Sequence, residues 1–194
     1  RVPDQHVEAG VGTAAVWLLL SSDAAGEVSE ARSDVLLELL AGGVESSFAR
    51  ALRREGVAIH TLRLGVRRWP ETARYRVLVR CAPEDAARVR HVLTDEIERV
   101  RQEGVTEAEL VRAKGSAFHD LSAEWSTTEG VFDAIARLRV RSLAPDDARK
   151  TALERAEVGL PELNAFAPKF LSSDRLSWVE VSPARNVGDT PRTE

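Results

Sequence analysis

Residues 58–81 read AIHTLRLGVRRWPETARYRVLVRC. Two runs alternate apolar with polar residues on either side of Trp69-Pro70-Glu71, whose proline suits a tight reversal. Period-two alternation marks a strand with one buried face, so the segment is expected to form an antiparallel hairpin of residues 58–68 and 72–81. Leu62, Leu64 and Val66 share one face of the first strand, and Tyr75, Val77, Val79 and Cys81 share one face of the second. The opposite parity carries Arg63 and Arg67, then Arg74, Arg76 and Arg80. Once the apolar faces are buried, these five arginines stand together on the other side of the sheet. They can form a solvated face balanced by acidic side chains elsewhere, or a basic wall that attracts acidic peptide or protein segments.

Working outward, TAAVWLLLSS (residues 13–22) is β-compatible, and Val28, Ala31, Val35, Leu36, Leu39 and Leu40 recur at helical spacing until Gly42 and Gly43. ESSFARALRREG (residues 45–56) reads as a second helix ending at Gly56. Beyond the hairpin, Val89, Val92, Leu93, Ile97 and Val100 line one side of a helix over 83–103, stopped by Gly104. TEAE (residues 106–109) is a capping box that opens a further helix to about Trp125, with Leu110, Ala113, Ala117 and Leu121 on one side. These two helices are expected to pack as a pair. More helices are expected over 130–142, 145–157 and 161–170, the last broken or kinked by Pro168. RLSWVEVSP (residues 175–183) alternates again as a final strand.

Four strands and about seven helices suggest an α+β, two-layer sandwich: a largely antiparallel sheet with helices packed on one face. Residues 1–12 are read as a lead-in, 13–183 as one domain and 184–194 as a loose tail with too little apolar content to fold.

Of the 194 residues, 43% are hydrophobic and 30% charged, the profile of a chain that folds around a core. The net charge of -4 and pI near 5.7 give no global basic field, which argues against nucleic acid. The strongest apolar run, AAVWLLL (residues 14–20), is far shorter than a membrane span and lacks the cationic flank of a signal peptide, so no membrane is expected. The compartment is left open. The chain opens at Arg1 and contains no Met, so it is expected to be part of a longer gene product or a trimmed one.

No catalytic engine is legible. Cys81 stands alone, excluding an intrachain disulfide or a cysteine cage. His6, His60, His91 and His119 are scattered, and neither His91 with Asp95 nor His119 with Glu124 has a zinc-site pattern. Nucleophile elbows, phosphate-cradling loops and dinucleotide fingerprints are missing. No catalytic residue and no metal ligand is therefore assigned.

The order LLELLAGGVESSFARALRREGVAIHTLRLGV, then an alternating strand, then APEDAARVRHVLTDEIERVRQEGVTEAELVRAKGSAFHDL, resembles the carboxyl-side domain of the insulinase and mitochondrial processing peptidase family of zinc peptidases. The shared features are a Gly-rich helix end, a Ser-Ser-Arg-Leu-like turn, a Leu-Arg-x-x-x-Gly-Leu-Ala-Tyr segment and a Thr-x-x-Glu-Leu-x-x-Ala-Lys helix, in that order. The resemblance runs from about Thr13 to Pro183. It implies a split clamshell in which one domain carries an inverted His-x-x-Glu-His zinc motif and the facing half supplies an Arg and a Tyr that position substrate. This sequence has no such zinc motif, so it is expected to be inactive alone, with zinc on a partner domain or subunit.

Arg53 matches the family's Arg, but Ile59 or His60 stands where the family has Tyr. His60 has the parity of Leu62 and Leu64, so it is expected to be a partly buried strand histidine, although its ring could still donate a hydrogen bond. The resemblance thus implies a non-catalytic domain that forms part of a peptide-binding chamber or a subunit interface. Arg53, His60, Arg63, Arg67, Arg74, Arg76 and Arg80 are the candidate substrate-binding residues. The implied partners are a zinc-bearing domain or subunit, or a second copy of the chain, and a peptide substrate. The alternative is a degenerate scaffold or protein-binding module, possibly homodimeric, with no proteolytic activity.

Overall fold

One sheet runs through the computed structural model, which describes residues 3–9, 12–23, 29–69 and 72–183. Its strands among these residues are β1 (Gln5–Ala9), β2 (Ala14–Asp23), β3 (Ile59–Arg68), β4 (Thr72–Cys81) and β5 (Leu176–Pro183), ordered β1-β5-β2-β4-β3. All neighbours are antiparallel except β1 and β5, which run parallel. The helices are α1 (Glu30–Ala41), α2 (Ser47–Arg54), α3 (Ala86–Glu103), α4 (Glu107–Trp125), α5 (Thr128–Val140), α6 (Pro145–Glu157) and α7 (Leu160–Phe170), with a 3-10 turn at Pro83–Asp85 before α3. The fold is α+β, with a mostly antiparallel sheet, as the sequence indicated.

Local chemistry sets the helix ends. The Ser29 and Ser46 hydroxyls accept from the backbone of Arg32 and Ala49, giving α1 and α2 the bonds that their first turns otherwise lack. Thr106 and Glu109 complete the expected capping box of α4, with Thr106 N donating to Glu109 Oε2 at 2.9 Å and Glu109 N to Thr106 Oγ1 at 3.3 Å. Gly104 follows α3 at φ +77°, a left-handed conformation that L side chains rarely adopt.

Inward-facing Leu18, Leu20, Tyr75, Val77 and Val79 of the sheet meet Val35 and Leu36 of α1, Val89 and Leu93 of α3, and Leu163 and Phe170 of α7, all essentially solvent-free. Each such side chain contributes roughly 1.5–3 kcal/mol of burial. Tyr75 and Phe170 meet edge to face at 5.6 Å, and the Tyr75 hydroxyl finds Ser33 Oγ at 2.8 Å, so the one tyrosine is buried without an orphaned hydroxyl.

Several expectations change. QHVEA, read as lead-in, is the edge strand β1; it is short and mostly polar, so its alternation was too weak to mark it until β5 supplied a partner. α3 and α4 do not pack principally on each other: α3 lies on β2, β4 and α2, while α4 lies on α1, because the Gly104 turn sends the two helices to different neighbours. α7 runs through Pro168 to Phe170. The proline sits in the last turn, so it removes only the one bond its own N–H would have donated, and the helix closes after it with Leu171 N reaching Ala167 O at 2.9 Å. Val28, the Pro70-Glu71 bend and the tail from 184 onward lie outside the described residues. The hairpin nonetheless closes, with Trp69 N donating to Thr72 O at 2.8 Å.

Candidate functional site

The strand register lays out the sheet face that no described helix covers. One row across it reads Thr61, Arg80, Ala15, Val181 and Val7; the next Arg63, Leu78, Trp17, Val179 and Gln5; then Gly65, Arg76, Leu19 and Ser177; then Arg67, Arg74 and Ser21. The β3–β4 side is thus basic and the β2–β5–β1 side largely apolar. All five arginines anticipated for this face are exposed and do share it. Among the described residues, none of the five has a carboxylate partner.

Two arginines rest on indole rings instead: Arg74 Cζ lies 6.0 Å from the Trp69 ring centre and Arg76 Cζ 5.9 Å from that of Trp17. Gly65, opposite Arg76, makes room for this. A Cβ at Gly65 would stand 2.6 Å from Arg76 Nε and 3.0 Å from its Cγ, so the missing side chain lets the arginine lie flat across β3.

The two remaining candidates sit elsewhere. Arg53 belongs to α2, where its guanidinium donates to Val44 O at 2.8 Å and meets Glu45 Oε1 at 3.4 Å. It borders an open cleft of about 600 Å³ with Arg50, Arg54, Glu96, Arg99 and Glu109, separate from the sheet face. His60 is exposed, against the expectation of a partly buried residue. The register slips between Ile59 and Thr61, so His60 is the extra residue of a β-bulge, and parity counted back from Leu62 no longer holds there. Ile59, the other position aligned with the family's Tyr, faces the Cys81 side of the sheet.

The cleft beside Arg53 contains an ionic network that the sequence did not reveal. Glu96 and Glu109 are nearly buried; Arg99 donates to Glu96 Oε1 at 2.8 Å and to Glu109 Oε1 at 3.1 Å, and Arg50 reaches Glu109 at 3.0 Å. Ser47 Oγ also donates to Glu96. Burial alone would raise the Glu109 pKa, but bonds from Thr106 and the guanidiniums of Arg99 and Arg50 outweigh it and hold the carboxyl below its usual value. The network ties α2, α3 and α4 together. Apolar periodicity does not reveal it because Glu96 falls on the apolar face of α3, and the pairing of its neighbour Arg99 with Glu109 joins that helix to α4 only in the fold.

A second set of ion pairs anchors the far end of β3. Asp34 of α1 receives Arg68 and Arg155, and Glu30 receives Arg141. Arg68, adjacent in sequence to Arg67, therefore faces the core side as a structural cation.

Among the described residues no group of histidine, cysteine and carboxylate side chains could hold a metal, and no helix is long and apolar enough to cross a membrane. Cys81 is fully buried, and burial, reinforced by Asp85, Glu180 and Glu84, pushes its thiol up to about 11.

A family model described as the peptidase M16 inactive domain matches residues 4–116, more than half of the chain. Comparison with curated protein sequences gives no match. Among solved structures, a protease from Helicobacter pylori superposes with a TM-score of 0.78 at 16% identity, over 93% of this chain and 44% of that one. The peptidase M16 inactive domain from Pseudomonas fluorescens gives 0.75 at 15%, over 95% and 44%. The inactive peptidase domain of a candidate zinc protease from Bordetella parapertussis gives 0.76 at 16%, over 95% and 98%. The chain thus spans less than half the length of the first two and nearly all of the third.

Proposed function

We propose, for a chain that belongs to the insulinase-like peptidase M16 family as its inactive, non-catalytic domain, a role in the wall of a peptide-binding chamber and in the contact with a zinc-bearing domain or subunit. The observation that carries the reading is the open sheet face, with five exposed arginines that have no carboxylate partner among the described residues. An unneutralised basic surface attracts carboxylates over a range of about a Debye length, which suits substrate capture. Arg63, Arg67, Arg74, Arg76 and Arg80 are the peptide-contacting residues of this proposal. Arg53 and His60, on the α2 cleft and the β3 bulge, are assigned to the rim.

The contact with the zinc-bearing partner is placed on α4. Val111 and Phe118 are 60% and 72% exposed, and Trp125 is 37% exposed; the three recur every seven residues along one helix side. Gly115 lies between them, and among the described residues nothing stands within 4 Å of where its side chain would be. A partner helix approaching closely would use it.

In this reading the zinc, and with it the activated water that cleaves peptide, belongs to the partner, and this domain binds and orients substrate. Reconstitution tests it: the isolated domain should show no peptidase activity, and mixing with the zinc-bearing half from the same source should give chelator-sensitive cleavage. Activity of the domain alone, or full activity of the zinc half without it, contradicts the proposal. One observation favours a second reading, a scaffold with no peptidase attached: no tyrosine stands at Ile59 or His60 to polarise a substrate carbonyl.

A further inference from the structure

The open sheet face is bipartite, and its two halves specify what it holds. Arg63, Arg67, Arg74, Arg76 and Arg80 occupy β3 and β4. Beside them, Trp17, Leu19, Leu78, Val179, Val181 and Val7 form a continuous apolar band, half-buried except for Val7, which is 43% exposed. Arg63 stands directly opposite Leu78, and Arg76 directly opposite Leu19, so the charged and apolar halves share an edge at single-residue distance.

We infer that this face binds one peptide segment in which a cluster of apolar side chains adjoins a cluster of Asp or Glu. The inference rests on the peptide-contacting role proposed above and names the class of segment. Three arguments select it. The first is charge: among the described residues the five arginines have no carboxylate partner, and an incoming Asp or Glu supplies one in bidentate geometry.

The second is area. Five strands about 4.8 Å apart, over rows about 7 Å apart, give a patch of roughly 20 by 20 Å, or about 400 Å². A stable folded partner needs about 800 Å² on each side, whereas a single helix about 10–12 Å across, or one extended chain, fits within the patch. The third is chemistry. A nucleic-acid strand leaves the valine and leucine band unused, and the chain's net charge of -4 opposes it. Half-buried aliphatic side chains on a sheet likewise offer little for insertion into a bilayer.

The test uses fluorescence anisotropy with a labelled synthetic peptide carrying leucines beside glutamates. Two companions are needed, one with lysines for the glutamates and one with serines for the leucines. The leucine–glutamate peptide should bind, and each companion should bind about tenfold more weakly or worse. The Arg63→Ser, Arg74→Ser and Arg76→Ser triple variant should lose about tenfold and most of its salt dependence. The Leu78→Thr and Val179→Thr pair, which keeps β propensity, should lose affinity while leaving the salt dependence in place. Circular dichroism of each variant establishes that the fold is kept.

If the serine companion binds as well as the parent, the bipartite assignment is overturned and the face is a basic wall only. If no peptide of the set binds, the peptide-contacting reading itself fails. If oligothymidylate, or vesicles of phosphatidylcholine and phosphatidylserine, bind through the arginines while the peptides do not, the occupant is of another class and the inference is wrong.

Discussion

Leu93→Ala measures whether α3 is the wedge that the structure makes it. Leu93 is fully buried on a helix that packs on β2, β4, α2 and α7. The substitution removes three carbons, at about 0.8 kcal/mol each or roughly 2.4 kcal/mol of lost burial. Neighbours from four elements cannot all relax into the gap, so a cavity penalty adds to this and the total should be about 3–4 kcal/mol. For a domain of this size that corresponds to a fall in Tm of about 10 °C. Urea unfolding followed by far-UV circular dichroism reads the free energy, with a thermal melt as the second probe. Val111→Ala, at a site 60% exposed on α4, is the control and should stay within about 0.5 kcal/mol. A loss below about 1 kcal/mol for Leu93→Ala, or equal losses for the two, would refute the packing argument.

Other outcomes follow from the ionic network, the thiol and the α4 stripe. Glu109 has its folded pKa held below the ordinary 4.5, so it adds stability above about that pH and loses it as pH falls through the depressed value; Glu109→Gln should therefore flatten the acid limb of the urea midpoint against pH, and an unchanged limb would sink the assignment. With its pKa near 11 and no exposure, Cys81 should ignore iodoacetamide at neutral pH until the chain unfolds, so brisk native labelling would show that the β4 face is open. Phe118→Ser should leave the melting temperature within about 2 °C, given its 72% exposure, yet weaken capture of the zinc-bearing partner in a pull-down; undiminished capture would move the contact elsewhere.

Strong local periodicity made most of this fold legible. The hairpin strands matched in register because alternation over ten residues leaves one arrangement that buries Leu62, Leu64 and Val66 against Tyr75, Val77 and Val79. That register also put the five arginines on one face, so the basic half of the candidate site could be read from the sequence. The apolar half could not be read: Trp17, Leu19, Val179 and Val181 gain their meaning from the order β5-β2-β4, a long-range pairing with no local signal. Parity failed at His60, where one inserted residue turned the count. The Glu96–Arg99–Glu109 network was hidden for a related reason, since a buried glutamate looks like a break in an apolar stripe until Arg99, one turn along the same helix, also reaches Glu109 of α4 and Ser47 of α2 joins Glu96.

Whether this domain works inside a zinc peptidase is tested most directly by native mass spectrometry of the assembly recovered from its own source, because one spectrum reports both composition and bound metal. The expected species is a complex, or a longer chain containing this domain, that carries zinc on its other part and releases it to a chelator without unfolding this one. A zinc-free monomer or homodimer as the sole species would contradict it and leave the scaffold reading in its place.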